Sequence, residues 1–182
     1  MKNKKLNLIG ELLNAEHSKS QKTKIAEIIT NDPNYMKELM GWFFSNDTRM
    51  CQRASWPLLD ICIKSPKILK PYLPKMVKHL DDKSIHDAVI RNTLRIFDEL
   101  DVPHELEGLL FEKCCAYILN PSRAIAIRAF GITIAVKISS LYPELSEEMN
   151  LILDEIAEYP VSPALKVRIR RGKKLLQKKI KN

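Results

Sequence analysis

A proline and an arginine recur along this chain at a fixed interval. Pro66 precedes Arg91 by 25 residues, Pro103 precedes Arg128 by 25, and Pro143 precedes Arg168 by 25, while the three prolines stand 37 and 40 residues apart. An earlier, shorter unit runs from Pro33 to Arg53, where the interval is 20 and the first helix has lost about a turn. Periods of this length mark stacked supersecondary units, none of which can bury its apolar face alone.

Within each unit the apolar residues return at helical spacing. The leading helices carry Met36, Leu39, Met40 and Phe43; then Leu69, Leu73, Met76, Val77 and Leu80; then Leu106, Leu109, Leu110 and Cys114; and finally Leu145, Met149, Ile152, Leu153 and Ile156. Each stripe ends in a polar break ("SND", "DDKS", "NPS", "YPVSP") rich in residues that stop one helix and cap the next. The second helices, "CQRASWPLLDICI", "VIRNTLRIFDEL", "AIRAFGITIAV" and "KVRIRRGKKLL", each place an arginine in their first part. The alternation Ile125-Ala126-Ile127 is strand-like by itself. Arg128, however, falls in register with arginines of plainly helical segments, and the apolar run outlasts a usual strand.

The expected fold is therefore all-α, an α-α superhelix of about four helical hairpins over 33–65, 66–102, 103–142 and 143–182. Residues 1–32 supply amphipathic segments at about 4–14 and 19–30 that suit an N-terminal capping hairpin, since the end of a solenoid exposes an apolar face. Residues 1–182 are read as one domain. Only five glycines and a hydrophobic share of 45% agree with an ordered, helix-rich chain.

Charge is unevenly placed. Of the net +8, residues 163–182 hold nine Lys or Arg and no acid, leaving 21 bases against 22 acids elsewhere. Basicity belongs to the terminal helix, not to the chain as a whole. The start, "MKNKKLNLIGELLNA", has lysines like a secretory leader, but Asn7, Gly10 and Glu11 break its apolar run, so it reads as mature protein. Arg123, Arg128 and Lys137 interrupt the longest apolar stretch, so no membrane span is expected and the reading is a cytoplasmic protein.

Cys51, Cys62, Cys114 and Cys115 lack metal-ligand spacing and fall in apolar helical patterns, where cysteine serves as a small hydrophobe. His17, His79, His86 and His104 are scattered, with no paired histidines. Phosphate-cradling glycine loops, nucleophile elbows and zinc-protease signatures are missing, so neither a cofactor nor a metal is expected.

At "ILKPYLPKMVKHLDDKSIHDAVIRNTLRIFDEL" the chain resembles the HEAT-repeat family (ARM-like α-solenoids), with an internal proline (Pro74), a turn aspartate (Asp82), and Val89 and Arg91 opening the second helix. The resemblance covers 33–182. Asn120 and Ser162 stand where an aspartate is typical, and Pro57 sits inside a second helix, where it is expected to kink it. In such folds the turn acid and the second-helix arginine imply a structural tie between neighbouring units. Arg91 has Asp87 and Asp98 on its own stripe, whereas Arg128 has only Ala124, Ile132 and Ala135, so its partner must come from another helix or a ligand. The expectation for Arg128 is a partly buried residue paired across a unit boundary.

Two functions compete. One is a non-catalytic scaffold or adaptor that binds a protein partner on the surface of its second helices. The other is a nucleic-acid-backbone binder using Arg53, Arg91, Arg128 and the terminal bases Lys166, Arg170, Lys173, Lys174 and Lys178 as phosphate contacts. A third reading, by resemblance to HEAT-like DNA glycosylases acting on alkylated bases, would use Trp42, Trp56 and Asp60. Trp42 fits the core better, and Asp60 fits a pairing with Arg49 and Arg53. On the terminal helix, Leu165, Ile169, Gly172, Leu176 and Ile180 form a docking stripe. The acids of the preceding helix are expected to neutralise the bases only along the shared edge, leaving a free face for a polyanion or an acidic protein surface.

Overall fold

Prolines and short polar side chains decide where the helices begin. The structure, a computed structural model, describes residues 7–82 and 84–180, with side chains through Gln177. The parts of the expectations that concern residues 1–6 and the side chains of Lys178 and Ile180 lie outside it. Among the described residues every regular element is helical.

The chain divides into two compact units, Met1–Glu99 and Leu100–Asn182. In the first, α1 (Leu8–Ala15) and α2 (Lys19–Asn31) are the two expected cap helices, and α3 (Met36–Phe43) follows a 3-10 turn at Pro33–Tyr35. The next helix is split into α4 (Thr48–Ser55) and α5 (Leu58–Lys64) at Trp56-Pro57, because Pro57 has no N–H to donate and its ring opposes the preceding turn. Pro71 and Pro74 likewise divide the helix that Pro66 begins into α6 (Pro66–Leu69), a 3-10 turn at Lys70–Tyr72, and α7 (Leu73–His79); α8 (Asp87–Glu99) completes the unit. Met36, Leu39, Met40, Phe43, Leu69, Leu73, Met76, Val77 and Leu80 are all buried, as their spacing implies.

The second unit is α9 (His104–Leu119), α10 (Ile125–Ser139), α11 (Pro143–Ala157) and α12 (Pro163–Ile180). Here α10 explains its own composition. Ile127, Ile132, Ile134, Ala135, Val136 and Ile138 are buried all around it, since α9, α11 and α12 each pack against it. Leu109, expected in the core, lies at the edge of the α9 stripe and is 40% exposed. Gly172 lets α12 approach closely, because a Cβ there would stand 2.8 Å from Val136 Cγ2 and 3.2 Å from Leu153 Cδ1.

The polar breaks have a common local role. Asp47 accepts the N–H of Met50, Asp82 those of the Ser84 backbone and hydroxyl, Asn120 the N–H of Ser122, and Ser162 Oγ the N–H of Leu165. Each side chain caps its own turn. That corrects the implied aspartate-to-arginine ladder at Asp82, and it explains why Asn120 and Ser162 serve as well as an aspartate. Between the second helices of the first unit there is a neutral tie: Asn92 donates to the buried Ser55 hydroxyl at 2.8 Å.

His79 ends α7 with its ring edge-on to Phe43 and Phe44, at centroid distances of 5.6 and 5.3 Å, and its buried Nε2 has no hydrogen-bond partner. Burial lowers its pKa, opposed by the Asp82 carboxylate and aided by Lys75. His17, beside Trp56, is shifted the same way by burial and then by Arg53.

Two outcomes follow from this packing. Gly172→Val should destabilise by about 1–3 kcal/mol through overpacking, whereas Gly108→Ala, whose Cβ meets nothing within 4 Å, should stabilise by about 0.5–1 kcal/mol; urea melts of both variants check this. A histidine kept neutral in the fold favours the unfolded state once that state protonates. Stability should therefore be level above about pH 7.5 and fall as pH drops through the ordinary histidine value near 6.5, with the loss reduced in His79→Phe. Melts at about pH 7.5 and 5.5 measure it.

Candidate functional site

Helix C-termini leave carbonyls without intrahelical partners, and two of the candidate arginines are used there. Arg53, half-buried on α4, donates through Nη1 to the carbonyls of Leu13 at 2.6 Å and Asn14 at 3.0 Å, at the end of α1. Arg128, half-buried on α10, donates from Nε to the carbonyl of Ile118 at 3.0 Å, at the end of α9. A cation at this position also complements the partial negative charge of the helix end. Arg128 is thus a structural tie, but within its own hairpin and to a carbonyl, which corrects the expected pairing across a unit boundary. No carboxylate was needed, because the orphan carbonyl supplied the acceptor.

The other arginines differ. Arg91 is exposed on α8. Arg168 donates from Nη1 to Thr133 Oγ1 at 2.5 Å and lies 6.0 Å from the centroid of Phe130, joining α12 to α10. Asp60 pairs with Lys22 of α2 at 2.8 Å, not with Arg49 or Arg53, because the break at Pro57 puts it on a separate helix. Trp56 is ringed by His17 and Lys22, and Trp42 packs its ring over Gly10. All three residues of the glycosylase reading are thus held in structural contacts, with Trp56 and Asp60 sharing Lys22 and Trp42 over Gly10.

The thiols are poor nucleophiles at neutral pH. Burial pushes Cys51 and Cys62 up to about 11 and Cys115 up to about 12, and raises Cys114 as well. No grouping of three or more His, Cys, Asp or Glu suited to a metal ion occurs among the described residues.

What the structure does bring together is Arg128 and the terminal bases, in the second unit, on either side of the turn that follows α11. A cleft of about 320 Å³ holds Arg128 and Glu155 among Leu119, Pro121, Ile156, Tyr159, Pro160 and Val161. Its rim is uncovered: Tyr159 is 66% and Leu119 42% exposed. A shallower groove of about 580 Å³ adjoins it through Val161 and is lined by Ala157, Ile169 and Gln177 with Lys166, Arg170, Lys173 and Lys174. Lys173 is paired with Asp154 of α11, the shared-edge neutralisation expected from sequence, while Lys166, Arg170 and Lys174 are exposed. The side chain of Lys178 lies outside the described residues. Arg53 and Arg91 belong to the other unit.

Sequence reasoning missed the apolar half of this site. "NPS" and "YPVSP" were legible as helix breakers, yet Pro121, Tyr159, Pro160 and Val161 are also its walls. An exposed tyrosine between two turn-forming segments was the available signal.

The carbonyl ties order the effects of truncation. Arg128→Ala, losing one charge-assisted bond, should cost about 1–3 kcal/mol, and Arg53→Ala, losing two, should cost more. Arg91→Ala should stay within about 0.5 kcal/mol. Thermal or urea melts of the three variants test this order.

No curated protein and no solved structure matches the chain. The family pattern of the HEAT repeat domain matches residues 9–176. That span takes in nearly every helix described above, from the first cap helix through most of α12. With paired helices throughout and a match over that span, the chain belongs to the HEAT-repeat family.

Proposed function

We propose that this protein is a non-catalytic interaction scaffold whose second unit takes a protein partner on the surface of its second helices, α10 and α12, around the turn after α11. HEAT repeats commonly serve as protein-interaction scaffolds. The carrying observation is a groove with an apolar floor, Ala157, Val161 and Ile169, rimmed by exposed Lys166, Arg170 and Lys174. Apolar area adds affinity to a protein contact, whereas a phosphate backbone asks only for the charges. Arg53 of the nucleic-acid reading already donates to two helix carbonyls, which weighs against its serving as a phosphate contact. Unpaired cysteines fit a reducing compartment, in line with a cytoplasmic protein.

A photo-crosslinking residue placed at Tyr159 tests the reading in the native source, with Glu147 on α11 as the control position and nuclease treatment in parallel. The expected result is a nuclease-resistant crosslinked protein at Tyr159 that is lost when Lys166, Arg170 and Lys174 are all changed to Gln. Crosslinks to nucleic acid alone, or equal yield at both positions, would reject it.

A further inference from the structure

The cleft and the groove meet at Val161, and they offer different chemistry. The cleft is walled by Leu119, Pro121, Ile156, Tyr159 and Pro160, and its volume of about 320 Å³ has room for one large apolar side chain. The groove carries a run of exposed cations, Lys166, Arg170 and Lys174, at intervals of four on α12. Cations so spaced share one helix face, and each repels the next. An acidic ligand laid along them relieves that repulsion. From Lys166 to Lys174 the helix rises about 12 Å, a distance that an extended chain covers in about four residues.

We propose that the two depressions are one composite site for an acidic segment of a partner protein, with an apolar or aromatic anchor in the Arg128 cleft followed by carboxylates along α12. This rests on the scaffold reading above and specifies the chemistry of the partner. The order of the parts supplies the pattern: an anchor, then acids spread over about four extended residues or about two turns of helix. Arg128 is a specificity residue here. Its Nε is held by Ile118, so the rest of its guanidinium stays fixed at the cleft, where it meets the backbone carbonyls beside the anchor. Glu155, also lining the cleft, disfavours a second carboxylate inside it and reserves the cleft for the apolar residue.

Selection of a random peptide display library on the full chain tests this. Enriched peptides should share an aromatic or large aliphatic residue next to two or more Asp or Glu. A labelled peptide from the enriched set should then lose about tenfold in affinity to the Lys166→Gln, Arg170→Gln, Lys174→Gln triple variant and weaken steeply with salt. It should lose about fivefold or more to Tyr159→Ser, an exposed position where folding is not at stake. Polyglutamate of equal length and duplex DNA should both bind at least about tenfold more weakly than the enriched peptide. Peptides enriched without acids, indifference to Tyr159→Ser, or equal binding of polyglutamate or DNA would overturn the composite site while leaving a protein-binding scaffold intact. Failure to enrich any peptide, together with no protein crosslink at Tyr159, would remove both.

Discussion

A helix that is apolar on every side has to be wrapped, and in residues 100–182 that requirement organises everything else. α10 exposes almost no charged edge to water, so α9, α11 and α12 close around it. Close approach then depends on small residues at the contacts. Gly131 sits under Ile118 of α9, and Gly172 under Val136 and Leu153. The same packing places the basic face of α12 beside the turn that follows α11. The one charge near the start of α10, Arg128, reaches the boundary of this core and is satisfied by the free carbonyl of Ile118.

In residues 1–99 the helices are shorter, and interruptions by proline set their lengths. Pro57 and the trio Pro66, Pro71 and Pro74 remove backbone donors, and the chain answers with 3-10 turns and short helices. Side chains that bridge separated segments then hold the pieces in place. Lys22 with Asp60, Arg53 with the end of α1, and Asn92 with Ser55 join residues about 40 positions apart. Glu38 adds one more by accepting the N–H of Gly10 at 3.0 Å. Most of these polar groups lie at the edge of a mainly apolar core, Ser55 being fully buried.

The site in the second unit combines residues with unlike histories. Tyr159 and Pro160 end a helix, Val161 lies in the turn, and Arg128 closes a neighbouring helix end. Lys166, Arg170 and Lys174 occupy the outer face of α12 because Leu165, Ile169, Gly172 and Leu176 are buried on the inner one. The docking stripe and the basic face are thus the two sides of one amphipathic pattern, with Arg168 the exception that turns inward to Thr133. Positive charge collects there because the acids of α11 reach only the nearer edge, where Asp154 meets Lys173.

Periodicity made most of the architecture legible in advance. The interval between Pro103 and Arg128, the stripe from Leu165 to Leu176, and the break expected at Pro57 each reflect a local rule: a missing N–H, a 3.6-residue turn, a polar cap. Such rules act within a few residues and leave their mark in the sequence. Partners were another matter. Arg128 carries no sign that its acceptor is a carbonyl ten residues back, and Asp60 none that Lys22 would replace Arg53, because both pairings depend on how far each helix extends and at what angle its neighbour arrives. The chain by itself determined helices, their buried faces and the concentration of charge on α12. Only the tertiary structure decided that Arg128, Tyr159 and the α12 bases would border the same turn, since packing across long sequence separations, not local propensity, brings those surfaces together.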